Sequence, residues 1–155
     1  MHIRVKTMNH FHLHRLIVTT AGAATPVVEI IIDDQDLLER VMAVEKPMAE
    51  AEGKPGLAGA YSYLPADEDH VRSLLPCPGG EKVMVLQCPC GEPGCWPLLV
   101  SINADASVVT WRAFTQPHRS LGAQAWIYSG LGPFQFERKA YEKEIQDFLR
   151  DLAPK

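Results

Sequence analysis

The sequence has no long uninterrupted apolar run and no block of basic residues. No apolar stretch approaches the ~18 residues that a membrane-spanning helix needs, so no transmembrane segment is expected. The 15 basic and 19 acidic residues give a net charge of −4. Because binding to a phosphate backbone requires a dense cationic face, generic nucleic-acid binding is disfavoured.

The sequence also lacks the local motifs of common catalytic and cofactor sites. It contains no P-loop, no dinucleotide-binding fingerprint, no H-E-x-x-H zinc motif and no G-x-S-x-G nucleophile turn. These absences, with the small size and the acidic charge, favour a non-enzymatic binding or regulatory domain. They leave open an enzyme whose chemistry depends on a metal.

The N-terminal residues lack the uninterrupted apolar core of about 7–15 residues that a secretory signal requires. His10, His12, His14 and Arg15 interrupt the apolar residues near the start. A cytoplasmic protein is therefore expected, with its four cysteines as thiols in a reducing compartment. Metal binding and packing are then more natural roles for the cysteines than disulfides. In an oxidising compartment, four cysteines would allow three pairings.

The composition predicts one globular domain. A chain of 155 residues with 46% apolar and 22% charged residues can bury a single core, so residues 1–155 are expected to form one domain with residues 1–10 as a loose arm. The predicted fold class is α+β, an antiparallel β-meander sheet packed by two or three helices, with an amphipathic helix at the C-terminus. Predicted strands lie at 11–20, 27–32, 83–86, 98–102, 107–111 and 124–128, and the last two predicted helices at 67–73 and 137–152.

The limits of the first helix are predicted from capping and helix-breaking residues. Asp33 or Asp34 can cap its N-terminus with a side-chain oxygen. Pro47 is expected to end the helix, because its ring clashes with the preceding turn and its nitrogen carries no hydrogen. Residues 47–66, rich in Pro, Gly and Ala, are expected to form an ordered loop.

A cysteine-rich turn lies at residues 88–97, between two predicted strands of the meander. In an extended chain residues two apart point to the same face, so Cys88 and Cys90 would present both sulfurs on one side. The glycines that follow permit a sharp reversal that brings Cys95 back beside them. Three converging sulfurs predict a zinc site, because zinc in proteins is bound by thiolates and imidazoles.

A closed zinc site needs a fourth ligand, whereas a catalytic site leaves that position to water. His118, in the loop after the strand at 107–111, is the candidate fourth ligand, and Cys77 is the alternative. Two other interpretations of the turn remain open. Its cysteines could pack as small apolar residues in a tight hairpin, or Cys90 and Cys95 could form a redox-sensitive pair.

A polar and aromatic segment follows the meander. Aromatic and Arg side chains supply most of the binding energy at protein interfaces, so this segment predicts a recognition surface. Within it, His118 could act as a general base and Arg119 could bind an anion. The alternative is that the aromatic side chains belong to the core and the Arg side chains are solvated. The candidate binding residues are Trp111, Arg112, His118, Arg119 and Tyr128.

Three histidines alternate along the first predicted strand. His10, His12 and His14 would share one face of that strand, which is the arrangement of H-x-H metal sites. Because no nearby carboxylate is expected to support them, an exposed strand is favoured over a metal site. In the enzyme alternative, either this face or the cysteine turn would bind a metal with an open position for water.

The order of motifs in the C-terminal half resembles that of an uncharacterised family of bacterial proteins, over about residues 83–149. The motifs are C-x-C-G-x-x-G-C-W-P-L from Cys88, W-x-x-F-x-x-P-H-R from Trp111 and G-P-F-x-F from Gly132. The resemblance supports the element boundaries and carries no activity or substrate to this chain. The sequence therefore predicts a small binding or regulatory domain, with zinc as the candidate cofactor and a protein or a second copy as the partner.

Overall fold

The computed structural model describes residues 8–20, 22–76, 78–92 and 94–152. Within these residues, eight strands form two antiparallel sheets of four strands each, and three α-helices pack against them, which confirms the predicted α+β class. The strands are β1 Phe11–Thr20, β2 Ala23–Ile32, β3 Gln35–Asp36, β4 Leu64–Pro65, β5 Lys82–Leu86, β6 Leu98–Ala104, β7 Val108–Thr115 and β8 Phe134–Glu137. The helices are α1 Leu37–Ala51, α2 Glu68–Arg72 and α3 Arg138–Leu152.

The first sheet is built on the predicted N-terminal hairpin. Strands β1 and β2 pair along their whole length, from Phe11 opposite Ile32 to Thr20 opposite Ala23. The short strands β3 and β4 both pair with the other edge of β2. Of the predicted arm at 1–10, residues 1–7 lie outside the described residues, while the Asn9 N–H donates to the Gln135 carbonyl at 2.7 Å. The hairpin is thus tied to the second sheet at its open end.

The second sheet is the predicted meander, in the order β5-β6-β7-β8. Its first three strands match the sequence prediction, but its fourth strand is Phe134–Glu137 and not 124–128. Residues 124–128 form a loop, in which the Trp126 N–H donates to the Arg119 carbonyl at 2.7 Å. This segment has a strand-like alternation because it buries Trp126 and Tyr128 against the core without pairing to a sheet edge.

Helix α1 differs from its prediction at both ends. Its N-cap is Asp36, whose side chain accepts the Leu38 N–H at 2.6 Å, while Asp33 and Asp34 have positive φ and form the turn into β3. The helix also continues through Pro47 to Ala51. Proline is tolerated here because it lies on the solvent-exposed side, where water can satisfy the carbonyl that loses its partner.

One apolar core joins the two sheets and α3. An aromatic cluster lies at its centre, with Phe11 from β1, Trp111 and Phe136 from the second sheet and Tyr141 from α3. The ring centroids of Phe11 and Trp111 are 5.7 Å apart, and those of Phe11 and Tyr141 are 4.3 Å apart. Among the helices described, none has the length and apolar character required to cross a membrane.

Candidate metal centre and its surroundings

The cysteine turn connects β5 to β6 and doubles back on itself. Two local hydrogen bonds shape it, from the Gly91 N–H to the Cys88 carbonyl at 2.9 Å and from the Cys95 N–H to the Glu92 carbonyl at 3.2 Å. Gly91 and Gly94 have φ of 80° and 84°, a left-handed conformation that favours glycine. This reversal returns Cys95 to the side of Cys88.

The sulfurs of Cys88, Cys90 and Cys95 converge, as the spacing predicts. The Sγ atoms of Cys88 and Cys90 are 3.0 Å apart, and those of Cys88 and Cys95 are 3.3 Å apart. All three sulfurs lie within 4.8 Å of one another, and within the described ranges no other three His, Cys, Asp or Glu side chains form such a group. Cys90 and Cys95 are exposed and Cys88 is half-buried, so a small ion can reach the group from solvent.

Close contact between the thiols shifts the pKa values of Cys90 and Cys95 in opposite directions. Hydrogen bonding with Cys88 lowers the pKa of the Cys90 thiol, and the Glu92 N–H adds to this effect. The same neighbours act in the opposite sense on Cys95, since hydrogen bonding with Cys88 and then Cys90 raises its pKa to about 12. Of these two thiols Cys90 therefore loses its proton more readily, and a bound cation would displace the protons of the sulfurs that bind it.

The sulfur geometry fits a tetrahedral zinc ion. With Zn–S bonds of about 2.3 Å, tetrahedral thiolates lie about 3.8 Å apart, so sulfurs now in contact would need to separate by less than ~1 Å. Small χ1 rotations of exposed side chains can supply that movement. Three thiolates also form a soft donor set, which selects zinc over magnesium or calcium.

The two candidates for a fourth ligand have different positions. His118 lies beside the turn, where its Nε2 is 2.8 Å from the Gly94 carbonyl oxygen, but it does not belong to the group of converging sulfurs. Its Nδ1 could bind a metal while Nε2 keeps that hydrogen bond, but the imidazole would have to move closer to the sulfurs. Cys77 lies outside the described residues. Both remain candidates.

His118 belongs to a stack of planar side chains next to the turn. Its ring is parallel to that of Trp96, with an interplanar angle of 5° and centroids 5.8 Å apart. The Arg119 guanidinium lies 5.2 Å from the Trp96 ring and 5.9 Å from the Trp126 ring, and its Nε donates to Glu52 at 2.9 Å. Arg119 is thus neutralised and shielded within the fold, which leaves little of its charge for an anion.

The other predicted binding residues divide between core and surface. Trp111 is fully buried and Tyr128 is 8% exposed, so both belong to the core, whereas Arg112 is exposed on β7.

No protein-family model, curated protein or solved structure matches this chain.

The histidines of β1 are paired with carboxylates from elsewhere in the chain. His12 Nδ1 lies 2.8 Å from Glu144, and His14 Nδ1 lies 3.1 Å from Glu29. The expectation that no carboxylate supports them is wrong, because Glu144 comes from α3 and Glu29 from the facing strand. His12 and His14 share a face with rings 6.5 Å apart, yet the three imidazoles form no metal-binding group among the described residues.

Helix α1 carries a buried carboxyl group that the sequence patterns did not predict, and hydrogen bonds connect it to the cysteine turn. Glu45 of α1 is fully buried, and its two oxygens accept from the Gly59 N–H at 2.9 Å and from the Tyr61 and Tyr128 hydroxyls at 2.5 Å each. Its signal was its place in the buried series Leu37, Val41, Glu45 and Ala49, in which each member is one helical turn from the next. We refer to Glu45, Tyr61, Tyr128 and Gln116 as the Glu45 network.

Gln116 links the Glu45 network to the cysteine turn. Its Nε2 donates to the Tyr61 hydroxyl and to the Pro97 carbonyl, both at 3.1 Å, and Pro97 is the last residue of the turn. Its Oε1 accepts the His118 N–H at 3.1 Å. A single buried amide therefore fixes the end of the turn, the start of the His118 loop and the hydroxyl that binds Glu45.

The pKa of Glu45 makes a testable contribution to the pH dependence of stability. Burial raises this pKa above its ordinary value of 4.5, against the opposing effect of the hydrogen bonds from Tyr128, Tyr61 and Gly59. Because the folded state then binds the proton more tightly than the unfolded chain, the stabilisation is complete below the ordinary pKa and is lost as pH rises through the raised one.

We therefore expect the unfolding free energy of the wild type, minus that of Glu45→Gln, to fall as pH rises between about pH 4 and pH 8. Urea titrations of both proteins across that range measure this difference, and the subtraction removes the contribution of the other titrating groups. A difference that increases with pH would show instead that the fold favours the ionised carboxylate.

Proposed function

We propose that the protein is a small non-enzymatic binding domain whose cysteine turn holds a structural zinc ion. The observation that carries the proposal is the convergence of the Cys88, Cys90 and Cys95 sulfurs, all within 4.8 Å of one another. Free thiols in a reducing cytoplasm gain little from such proximity, whereas a zinc ion would be bound by all three. Zinc binding would stabilise a segment that has few packed apolar side chains of its own.

The zinc would also stabilise a neighbouring surface. The loop at 116–128 contacts the turn through His118, whose Nε2 is 2.8 Å from the Gly94 carbonyl oxygen, and through Gln116, which donates to Pro97. The same loop exposes two large apolar side chains, Leu121 at 88% and Ile127 at 68%. Large exposed apolar side chains are characteristic of a protein-binding surface, so a protein is the proposed partner.

Metal analysis of untagged protein, purified without added metal, tests the zinc proposal. We expect about one zinc per chain, and we expect Cys90→Ser to lose the zinc and to unfold at lower urea concentration. Glu92→Gln is the matched control, because it changes an exposed residue of the same turn without removing a sulfur. Metal-free wild type in which the sulfurs of all three residues react freely with a thiol reagent would contradict the proposal.

Cobalt substitution identifies the fourth ligand. Tetrahedral Co²⁺ gives strong visible bands whose position depends on the number of thiolates, so three and four sulfurs are distinguishable. A spectrum altered by His118→Ala but not by Cys77→Ser would assign the imidazole, and the reverse would assign Cys77.

Affinity capture with two immobilised proteins, zinc-loaded wild type and zinc-loaded Ile127→Ser, tests the binding surface. A partner that binds this surface should be captured by the wild type and not by Ile127→Ser.

A second candidate function follows from the exposure of Cys90 and Cys95. An ion bound there could keep one position for water, as in metal-dependent hydrolytic enzymes, with the exposed Glu92 or His118 to move a proton. This alternative predicts a three-sulfur site whose spectrum changes on adding a small anion such as azide. A four-ligand spectrum insensitive to the anion would remove it.

A further inference from the structure

The outer edge of β1 presents an alternating row of backbone groups. In an antiparallel pair, residues that exchange hydrogen bonds alternate with residues whose N–H and C=O groups point away. The Leu13 N–H donates to Glu144 of α3 at 3.1 Å, and Pro26, which has no N–H, lies opposite Ile17. The odd-numbered residues of β1 therefore direct their backbone groups away from β2, to the outer edge of the sheet.

The two halves of that edge differ in protection. At the inner half, Glu144 accepts the Leu13 N–H and pairs with His12, so α3 covers the edge. The outer half of the edge consists of Arg15 to Thr19. There the backbone N–H and C=O groups of Arg15, Ile17 and Thr19 have no hydrogen-bond partner among the residues that the structure describes. Natural edge strands are usually protected by charged side chains, especially lysine, by proline or by a bulge. Arg15 is the one charge in this part of the edge, and the sequence from Leu16 to Thr20 has none of these features.

The outer half is also apolar and accessible. Ile17 is 58% exposed, and Leu16 and Val18 on the opposite face are half-buried. Large β-branched side chains favour strand pairing, and an unpaired apolar edge is a template for another strand. The described part of the chain supplies no strand for it.

We propose that β1 pairs edge to edge with β1 of a second copy of this chain, antiparallel and across a two-fold axis at Ile17. The proposal is independent of the metal centre, which lies in the second sheet. It would create one continuous sheet from the two hairpins, in which Arg15, Ile17 and Thr19 pair with Thr19, Ile17 and Arg15 of the other copy.

The side-chain sequence of β1 matches itself well in this register. Centring the pair on Ile17 places Leu16 opposite Val18 of the other copy and keeps each Arg15 opposite a threonine. Centring it on Arg15 would place two guanidinium groups opposite each other, which is destabilising. A partner strand of unrelated sequence would gain no such match, so the chain's own strand is the occupant that the sequence favours.

Sedimentation velocity over a range of protein concentrations tests the proposal. We expect the wild type to move from the 17.2 kDa chain mass towards twice that mass, and Ile17→Lys to weaken association at least ~10-fold. Ile17→Pro should have the same effect while sparing the bonds between β1 and β2, because residue 17 makes none of them. Thr25→Lys, which adds the same charge on β2, is the control that should still dimerise.

A cysteine at the two-fold axis tests the register. In the proposed pair the two Cα atoms of residue 17 are about 5.5 Å apart, within the range that a disulfide spans, so Ile17→Cys should give a crosslinked dimer with oxidised glutathione. Peptide mapping distinguishes this bond from those of the native cysteines. The proposal would be overturned by a wild type monomeric at all concentrations. It would equally be overturned by a dimer lost in Ile127→Ser but retained in both Ile17→Lys and Ile17→Pro.

Discussion

Replacing Glu45 with alanine is expected to lower the free energy of unfolding by about 3 kcal/mol or more. The change removes an acceptor from three donors at once: the Gly59 N–H and the hydroxyls of Tyr61 and Tyr128. Each buried donor left without a partner costs about 1–3 kcal/mol, and relief from burying the carboxyl offsets part of the sum. Since domains of this size are stable by only about 5–15 kcal/mol, the loss would be a large fraction of the total.

Two further variants determine whether this loss belongs to the Glu45 network. Glu45→Gln retains the side-chain volume and an oxygen for the tyrosines but places an amide group near the Gly59 N–H, so we expect an intermediate loss. Glu50→Ala removes an exposed carboxylate from the same helix and should change the unfolding free energy by less than ~0.5 kcal/mol. Equal effects of Glu45→Ala and Glu50→Ala in urea denaturation would show that the network does not stabilise the fold.

The position of Gly59 explains how the loop approaches α1 closely enough to form this network. Its φ is 65°, and a Cβ on this residue would lie 2.8 Å from Cβ of Met42 on α1. Only glycine accommodates both the backbone conformation and the contact, which places the Gly59 N–H against Glu45. The residues of the loop thus fix the geometry of a carboxyl group distant from them in sequence.

Local sequence patterns predicted the elements of the fold where one face of a strand or helix is buried. The hairpin at 11–32, the first three meander strands and α3 each bury alternate or helically spaced apolar residues, and all were predicted. The strand predicted at 124–128 shows the limit of this method. Its alternation of buried and exposed residues is real, but only pairing to a neighbour makes a strand, and the sheet edge is occupied by β8.

In the candidate site, likewise, local features could be predicted from the sequence and long-range contacts could not. Convergence of the three sulfurs was predictable because Cys88 and Cys95 lie seven residues apart in one turn, whose path its glycines determine. The pairing of His12 with Glu144 and the junction formed by Gln116 were not, because their partners come from distant elements that only the tertiary fold brings together. Long-range polar contacts of that kind produce no periodic pattern in a sequence.

The largest effect of a single apolar substitution is expected at Trp111, where truncation to alanine should cost about 3–5 kcal/mol. Its indole is fully buried between Phe11 of the first sheet and Phe136 of the second, and its Nε1 donates to the Tyr141 hydroxyl at 3.0 Å. Alanine would leave a cavity where the two sheets and α3 meet, and that hydroxyl would lose its donor. The neighbouring Arg112→Ala, on the exposed face of β7, should be nearly neutral.

Trp111→Phe separates the two contributions, because it retains an aromatic ring and removes only the Nε1 donor and part of the volume. We expect a loss of about 1–2 kcal/mol from this variant, and the remainder of the alanine effect then measures the cavity. Chemical denaturation followed by far-ultraviolet circular dichroism gives both values. If Trp111→Ala unfolded in two separate transitions, the sheets would be independent units. A single transition at lower denaturant concentration is expected instead, because the aromatic cluster couples β1 to β7, β8 and α3.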